Sequence, residues 1–170
     1  SDHFLGSGDN LPRQRFWTIR AKHVILATGS LERHIAFNNN DTPGTMTTKS
    51  ASNYLNRYGV LSGQNIVICT NNDSVYETAR ELSKAGSKVE VIDARENINE
   101  ELISLAKENN VNISFGNFPY NIKGDREVKC LEVAEKVNNH YKVICEKECD
   151  LVLLSGGWSP VVHLLSHRGV

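Results

Sequence analysis

Short apolar runs alternate along this chain with segments whose apolar residues recur at helical spacing, and that alternation predicts most of its elements. Ile66-Val67-Ile68-Cys69 is a β-branched run of strand length. Val75, Ala79 and Leu82 follow at helical spacing, Gly86 stops the helix, and Val89-Glu90-Val91-Ile92 reads as a second strand ending at Asp93. Strand, helix and strand in so few residues imply a right-handed parallel crossover. Asn99-Glu100-Glu101 opens a further helix through Asn109, with acids in the first turn where the helix dipole favours them, and residues 111–115 form the next strand. Between Tyr120 and Glu146 three short strands, turning at Gly124-Asp125 and Asn138-Asn139, give a β-meander. Leu151-Val152-Leu153-Leu154 is the last strand. Upstream, residues 16–20 alternate like a strand, and His23-Val24-Ile25-Leu26-Ala27 reads as a buried strand ending in Thr28-Gly29. Thr47 or Thr48 caps a helix that runs through Tyr58 and closes at Gly59.

The fold class that follows is α/β: a Rossmann-like three-layer domain with a parallel sheet plus a β-meander. In nucleotide-binding versions of such a crossover the turn after the first strand reads G-x-G-x-x-G, so that backbone can approach a pyrophosphate seated on the helix N-terminus. Here the six places read Thr70-Asn71-Asn72-Asp73-Ser74-Val75. Asp73 places a negative charge where the phosphate would lie. Ser74 and Glu77 have capping-box spacing, which predicts that the free N–H groups of the first turn already have side-chain acceptors. Val75 adds a β-branched side chain where a third glycine would allow close helix–strand packing. Asp93 stands where an acid would bind a ribose, and without a pyrophosphate seat beside it reads as a solvated strand end. The expectation is that this crossover binds no dinucleotide in the conventional way.

A chain of 170 residues accommodates one good domain, or one domain and part of another. The net charge of −1 gives no electrostatic case for nucleic acid or an anionic membrane, and no apolar run approaches a membrane span, so the expected setting is cytoplasmic. The start at Ser1-Asp2-His3, without an initiator Met, and the polar opening segment through Gln14 read as a piece of a longer polypeptide. Cys69, Cys130, Cys145 and Cys149 form no CxxC pair. Cys145, Cys149 and the nearby His140 suggest a metal site only weakly, since Cys69 and Cys145 fall within apolar strands, where a reduced cysteine acts as a small hydrophobe.

Two glycine sites remain. Ser155-Gly156-Gly157-Trp158-Ser159-Pro160 follows the last strand directly, and tandem glycines there admit either close approach of a ligand or chain segment or a tight turn. Residues 38–44, an Asn-rich stretch closing in Pro43-Gly44, form the best candidate boundary.

Taken together, a strand ending in Ala27-Thr28-Gly29, an inserted crossover domain with a meander, and a strand ending in Gly156-Gly157 resemble the two-dinucleotide-domain flavoproteins of the glutathione reductase type. More narrowly, RAKHVILATGSLER at residues 20–33, ASNYLNRYG at 51–59, TNNDSVY at 70–76 and SGGWSPVVHL at 155–164 resemble the alpha subunits of heterotetrameric sarcosine oxidases. The resemblance runs from about Pro12 to the end. One departure is His34-Ile35, where the family tends to place a proline soon after the Glu-Arg pair. It implies an inserted, degenerate second dinucleotide-fold domain at 46–150. Residues 1–45 would then belong to a first FAD/NAD-type domain whose glycine loop lies upstream, and 151–170 would be a return strand to it.

What the resemblance implies for function is part of a flavoenzyme that oxidises sarcosine to glycine and passes electrons through flavin to oxygen. NAD would sit in the first domain of the alpha subunit and FAD on a partner subunit, with FMN between them. The other subunits and, elsewhere in the parent enzyme, folate would be its partners, with no nucleic acid or membrane. Ala27, Thr28, Gly29, Arg33, Gly156, Gly157 and Trp158 are then the candidate cofactor-facing residues, acting mainly through backbone approach. Arg33 faces a phosphate or flavin or pairs with a nearby acid, and Trp158 covers the cofactor or fills a domain boundary. No residue of the chain is a candidate for bond-making, and His163 and His167 read as structural or exposed. Two other readings stay open: a structural docking module that binds no nucleotide, and a free-standing NAD(P)H reductase domain. The absence of a closely spaced cysteine pair argues against a redox-active disulfide reductase.

Overall fold

The computed structural model describes residues 16–167. The chain divides into two compact units, Gly29–Val161 and Ser1–Thr28 with Val162–Val170.

The Gly29–Val161 unit is built on a five-stranded parallel sheet. Its strands are β2 (Thr45–Thr47), β3 (Asn65–Thr70), β4 (Lys88–Asp93), β5 (Asn112–Phe115) and β9 (Leu151–Ser155), in the spatial order β2-β9-β3-β4-β5. Helices α1 (Thr48–Tyr58), α2 (Val75–Lys84) and α3 (Glu100–Glu108) cover one face. The predicted meander, β6 (Asn117–Lys123), β7 (Cys130–Val137) and β8 (His140–Glu148), covers the other as a three-stranded antiparallel sheet. β1 (Ser30–Glu32) and β10 (Trp158–Pro160) pair antiparallel as a separate two-stranded ribbon.

The period-2 geometry of a strand sorts the apolar runs between the layers. Ile66, Ile68, Leu151 and Leu153 point to the helix side and pack with Val75, Tyr76, Ala79 and Leu82. Val67, Cys69, Val152 and Leu154 point to the meander side and meet Ile122, Leu131 and Val133. Strands buried on both faces need apolar residues at every position, which is why β3 and β9 read as continuous runs rather than alternating ones.

Local chemistry fixes the ends of the elements. Thr47 is the N-cap of α1, its Oγ1 accepting the Ser50 N–H at 3.3 Å, and Gly59 ends the helix at φ 66°. Asn99 caps α3 through the Glu101 N–H at 2.9 Å. Asn138 and Asn139 both have positive φ, 46° and 65°, as a two-residue hairpin turn between paired Val137 and His140 requires.

Three sequence expectations are corrected. The run at 151–154 is not a return strand to another domain: β9 lies inside this sheet, paired parallel to β2 on one side and β3 on the other. Its fully apolar character reflects that central position. The boundary expected near residue 45 is also displaced, because the polar loop is stitched to the meander: Asn39 Nδ2 donates to Asn121 Oδ1 at 3.0 Å, and the Val128 N–H donates to the Pro43 carbonyl at 2.9 Å. Thirdly, residues 16–27 form no strand, and Phe16 and Ile25 are 97% and 91% exposed. A strand exists only with a ladder partner, and no described segment pairs with this one.

In the other unit the described ordered element is a single-turn helix, α4 (His163–Ser166), with His163 and His167 exposed. Among the described residues no helix is long and apolar enough to cross a membrane.

Candidate functional site

Ligands of open α/β sheets bind outside the C-terminal ends of the strands, and the β3–α2 turn lies at that edge. β3 delivers Thr70 to that edge, where its Oγ1 accepts the Asn72 N–H at 3.1 Å. Asn72 is the centre of the turn. Its Nδ2 donates to the carbonyl and hydroxyl oxygens of Ser155, both at 3.1 Å, while its Oδ1 accepts from the Ser74 N–H at 3.2 Å and the Ser74 hydroxyl at 2.6 Å.

The capping box expected from Ser74 and Glu77 does not form. Ser74 already has helical dihedrals, φ −64° and ψ −17°, so its hydroxyl cannot reach forward as an N-cap does, and it makes no side-chain cap bond. Glu77 is instead engaged by the Arg80 guanidinium one turn on. The acceptor at the helix start is the Asn72 side chain, two residues before Ser74.

Asp93 is likewise not a solvated strand end. It is fully buried and accepts from the Tyr76 hydroxyl at 2.8 Å, from the Arg95 N–H and Nε at 3.0 Å each, and from Arg95 Nη2 at 2.8 Å. Arg95 Nη1 reaches Asp73 at 2.7 Å. A fork of this kind between carboxylates is among the stronger polar contacts a protein makes. Burial, then the bond to Asp93, pushes the Tyr76 hydroxyl well above its ordinary pKa. The bond to Asp93 raises Arg95 further into the protonated range.

These residues do not fit a dinucleotide. The acid that would hold a ribose is saturated by Tyr76 and Arg95. The turn that would approach phosphate carries the Asn72 and Asp73 side chains, and Asp73 sets its carboxylate beside the positive end of α2. The sequence signalled the missing glycines. It missed Arg95 and Tyr76, although Arg95 stands only two residues after Asp93 and an adjacent guanidinium is a legible sign of a sequestered acid.

The candidate cofactor-facing residues fall in both units. Ala27 and Thr28 belong to the unit that includes Val162–Val170. Gly29 opens the ribbon, with φ 71° and open space where a Cβ would stand. Arg33, Gly156, Gly157 and Trp158 cluster at the ribbon's other end, where the Arg33 N–H donates to the Gly157 carbonyl at 2.9 Å and the Gly156 N–H to the Arg33 carbonyl at 2.7 Å. A Cβ on Gly156 would stand 3.2 Å from that Arg33 carbonyl oxygen, so this glycine serves close approach of another chain segment. Gly157, at φ 93°, has open space. Trp158 donates its indole N–H to Ser74 Oγ at 3.0 Å. With Glu32, Asn56, Glu77 and Glu81 it walls a cleft of about 340 Å³ between α1 and α2.

The cysteines are reduced, and no cluster among the described residues could hold a metal ion. Burial pushes the Cys69 thiol far up and Cys149 up to about 12, which keeps both protonated and inert.

Known proteins resemble the chain at two levels. Sarcosine oxidase subunit alpha of Corynebacterium sp. (strain U-96) is 41% identical over 165 residues, 95% of this chain and 17% of that protein. The subunit of the same name from Rhizobium meliloti (strain 1021) is 33% identical over 168 residues, 98% of this chain and 16% of that one. The chain therefore spans about a sixth of the length of these relatives. Among solved structures, T. acidophilum thioredoxin reductase superposes with a TM-score of 0.66 at 19% identity, covering 84% of this chain and 46% of its own. A ferredoxin reductase from Rhodopseudomonas palustris gives 0.63 at 19%, covering 89% and 38%. At such identities the likeness shows the fold alone. Residues 10–170 match the family described as pyridine nucleotide-disulphide oxidoreductase, and the chain belongs to that family.

Proposed function

We propose that this chain is a central part of the alpha subunit of a sarcosine oxidase-like enzyme, in which it contributes to NAD binding and subunit assembly and does no bond-making itself. The observation that carries the reading is the 41% identity, over 95% of the chain, to a protein named sarcosine oxidase subunit alpha. The closed β3–α2 turn supports the division of labour: with Asp93 and Asp73 held by Arg95, the Gly29–Val161 unit offers no conventional dinucleotide seat. NAD then falls to a first FAD/NAD-type domain, with Ala27 and Thr28 at its rim. Gly157, with open space above its backbone, remains a candidate for the same role beside Arg33 and Trp158. In the assembled enzyme FAD and FMN would supply the redox chemistry, and this chain's part is to orient and to dock.

The closed turn also favours reading the Gly29–Val161 unit as a docking module within that enzyme, and it disfavours a free-standing NAD(P)H reductase.

Calorimetric titration of the intact protein with NAD tests the proposal, using Asp73→Ala as the probe of the β3–α2 turn. Wild type is expected to bind NAD with micromolar affinity or better, and Asp73→Ala to match it within about twofold. Loss of binding in Asp73→Ala would move the nucleotide into this unit, and no binding by either would remove the NAD role. A flavin-free assembly, or one that forms no peroxide from sarcosine, would overturn the oxidase assignment.

A further inference from the structure

We propose that the β1–β10 ribbon is latched to the three-layer body by Glu32 and Trp158, and that the two helix N-termini that could serve as ligand seats act here as keepers of that latch. The two residues are direct partners across the ribbon. Each reaches a different helix start: Glu32 Oε2 accepts the Lys49 N–H in the first turn of α1 at 2.7 Å, and the Trp158 indole donates to Ser74 at the start of α2 at 3.0 Å.

The chemistry suits the task. A carboxylate on the first-turn N–H of α1 supplies the negative charge that the helix dipole favours at that end, with no added ligand. At α2 the indole is the last member of a relay in which Ser74 donates to Asn72 and Asn72 donates to Ser155, the final residue of β9. Asn72, one of the side chains that occupy the turn, thus also takes part in fastening the ribbon.

The ribbon needs such fastening. It has three residue pairs, and an isolated two-stranded ribbon is marginal in water. Its internal bonds, Arg33 N–H to the Gly157 carbonyl and Val161 N–H to the Gly29 carbonyl, hold its strands to each other and not to the body. Both latch bonds lie at the surface and are single side-chain contacts, so they open without disturbing the core. When closed, the latch makes ribbon and body one piece. When open, it frees the ribbon alone and uncovers the cleft that Glu32 and Trp158 wall.

Amide hydrogen exchange on the intact protein tests this, comparing wild type with Glu32→Ala, Trp158→Phe, the double variant and Ser74→Ala. Each single variant is expected to speed exchange of the Arg33, Gly156 and Val161 amides about tenfold, and the double variant further, while β3 and β4 stay protected. Ser74→Ala is expected to reproduce Trp158→Phe. Unchanged ribbon exchange in the double variant would overturn the latch. So would an equal loss of protection in β3 and β4, which would make these residues general supports of the fold.

Discussion

Arg95 decides the chemistry of the C-terminal sheet edge, because it converts two carboxylates that lie beside a helix N-terminus into a closed network. Its partners differ in burial: Asp93 is fully buried and the Asp73 side chain is 62% exposed. Removing one member of a buried pair leaves an uncompensated charge, whereas an exposed pair contributes little. Arg95→Ala is therefore expected to destabilise the protein by about 3 kcal/mol and Asp73→Ala by less than about 1 kcal/mol in urea titrations. Equal effects would mean that Asp93 finds another donor. At this scale the sequence was half legible. Asp73 and Val75 announced that phosphate was excluded, but the burial of Asp93 depends on Tyr76, which arrives from α2 across the sheet edge. A one-dimensional pattern does not place a hydroxyl from a neighbouring helix.

At the scale of elements, periodicity recovered the crossover, the α1 caps and the meander turns because each is determined by residues close in sequence. The position of β9 was not recoverable in that way. An apolar run records burial on two faces but not the identity of the flanking strands, so β9 could be read as leaving the domain when it runs between β2 and β3. Residues 16–27 show the converse: β-branched content gives strand propensity, and without a ladder partner no strand forms. The turn between β6 and β7 was predicted from Gly124, and the structure supplies a sharper reason for it. A Cβ there would lie 1.9 Å from the Glu127 carbonyl oxygen, a backbone atom that cannot step aside. Gly124→Ala is thus expected to cost about 2 kcal/mol and to lower protection at the β6–β7 end of the meander in hydrogen exchange. A neutral substitution would show that the turn has a second, roomier conformation.

For the whole molecule, the two cores on either side of the parallel sheet make stability depend on alkaline pH. Cys69 and Cys149 lie in the meander-side core and Tyr76 in the helix-side core, and burial raises all three above their ordinary values. A group whose pKa is raised on folding keeps its proton in the native state while the unfolded chain gives it up. The unfolded state then binds fewer protons, and stability falls as pH rises. The ordinary values are 9.0 for the thiols and 10.0 for the phenol, so the stabilisation is complete below pH 9 and is lost as pH climbs towards and beyond 12. Each group contributes a slope of about 1.4 kcal/mol per pH unit once it is ionised in the unfolded chain alone. Urea midpoints are expected to hold steady from pH 7 to 8.5 and to drop steeply between pH 10 and 11. The Cys69→Ala, Cys149→Ala double variant, less stable at neutral pH because it loses buried sulfur, is expected to lose stability less steeply over that interval by about 2.7 kcal/mol per pH unit. Parallel pH profiles for the two proteins would mean that these thiols reach water in the native state, and the meander would then be a looser cover for the sheet than its packing indicates.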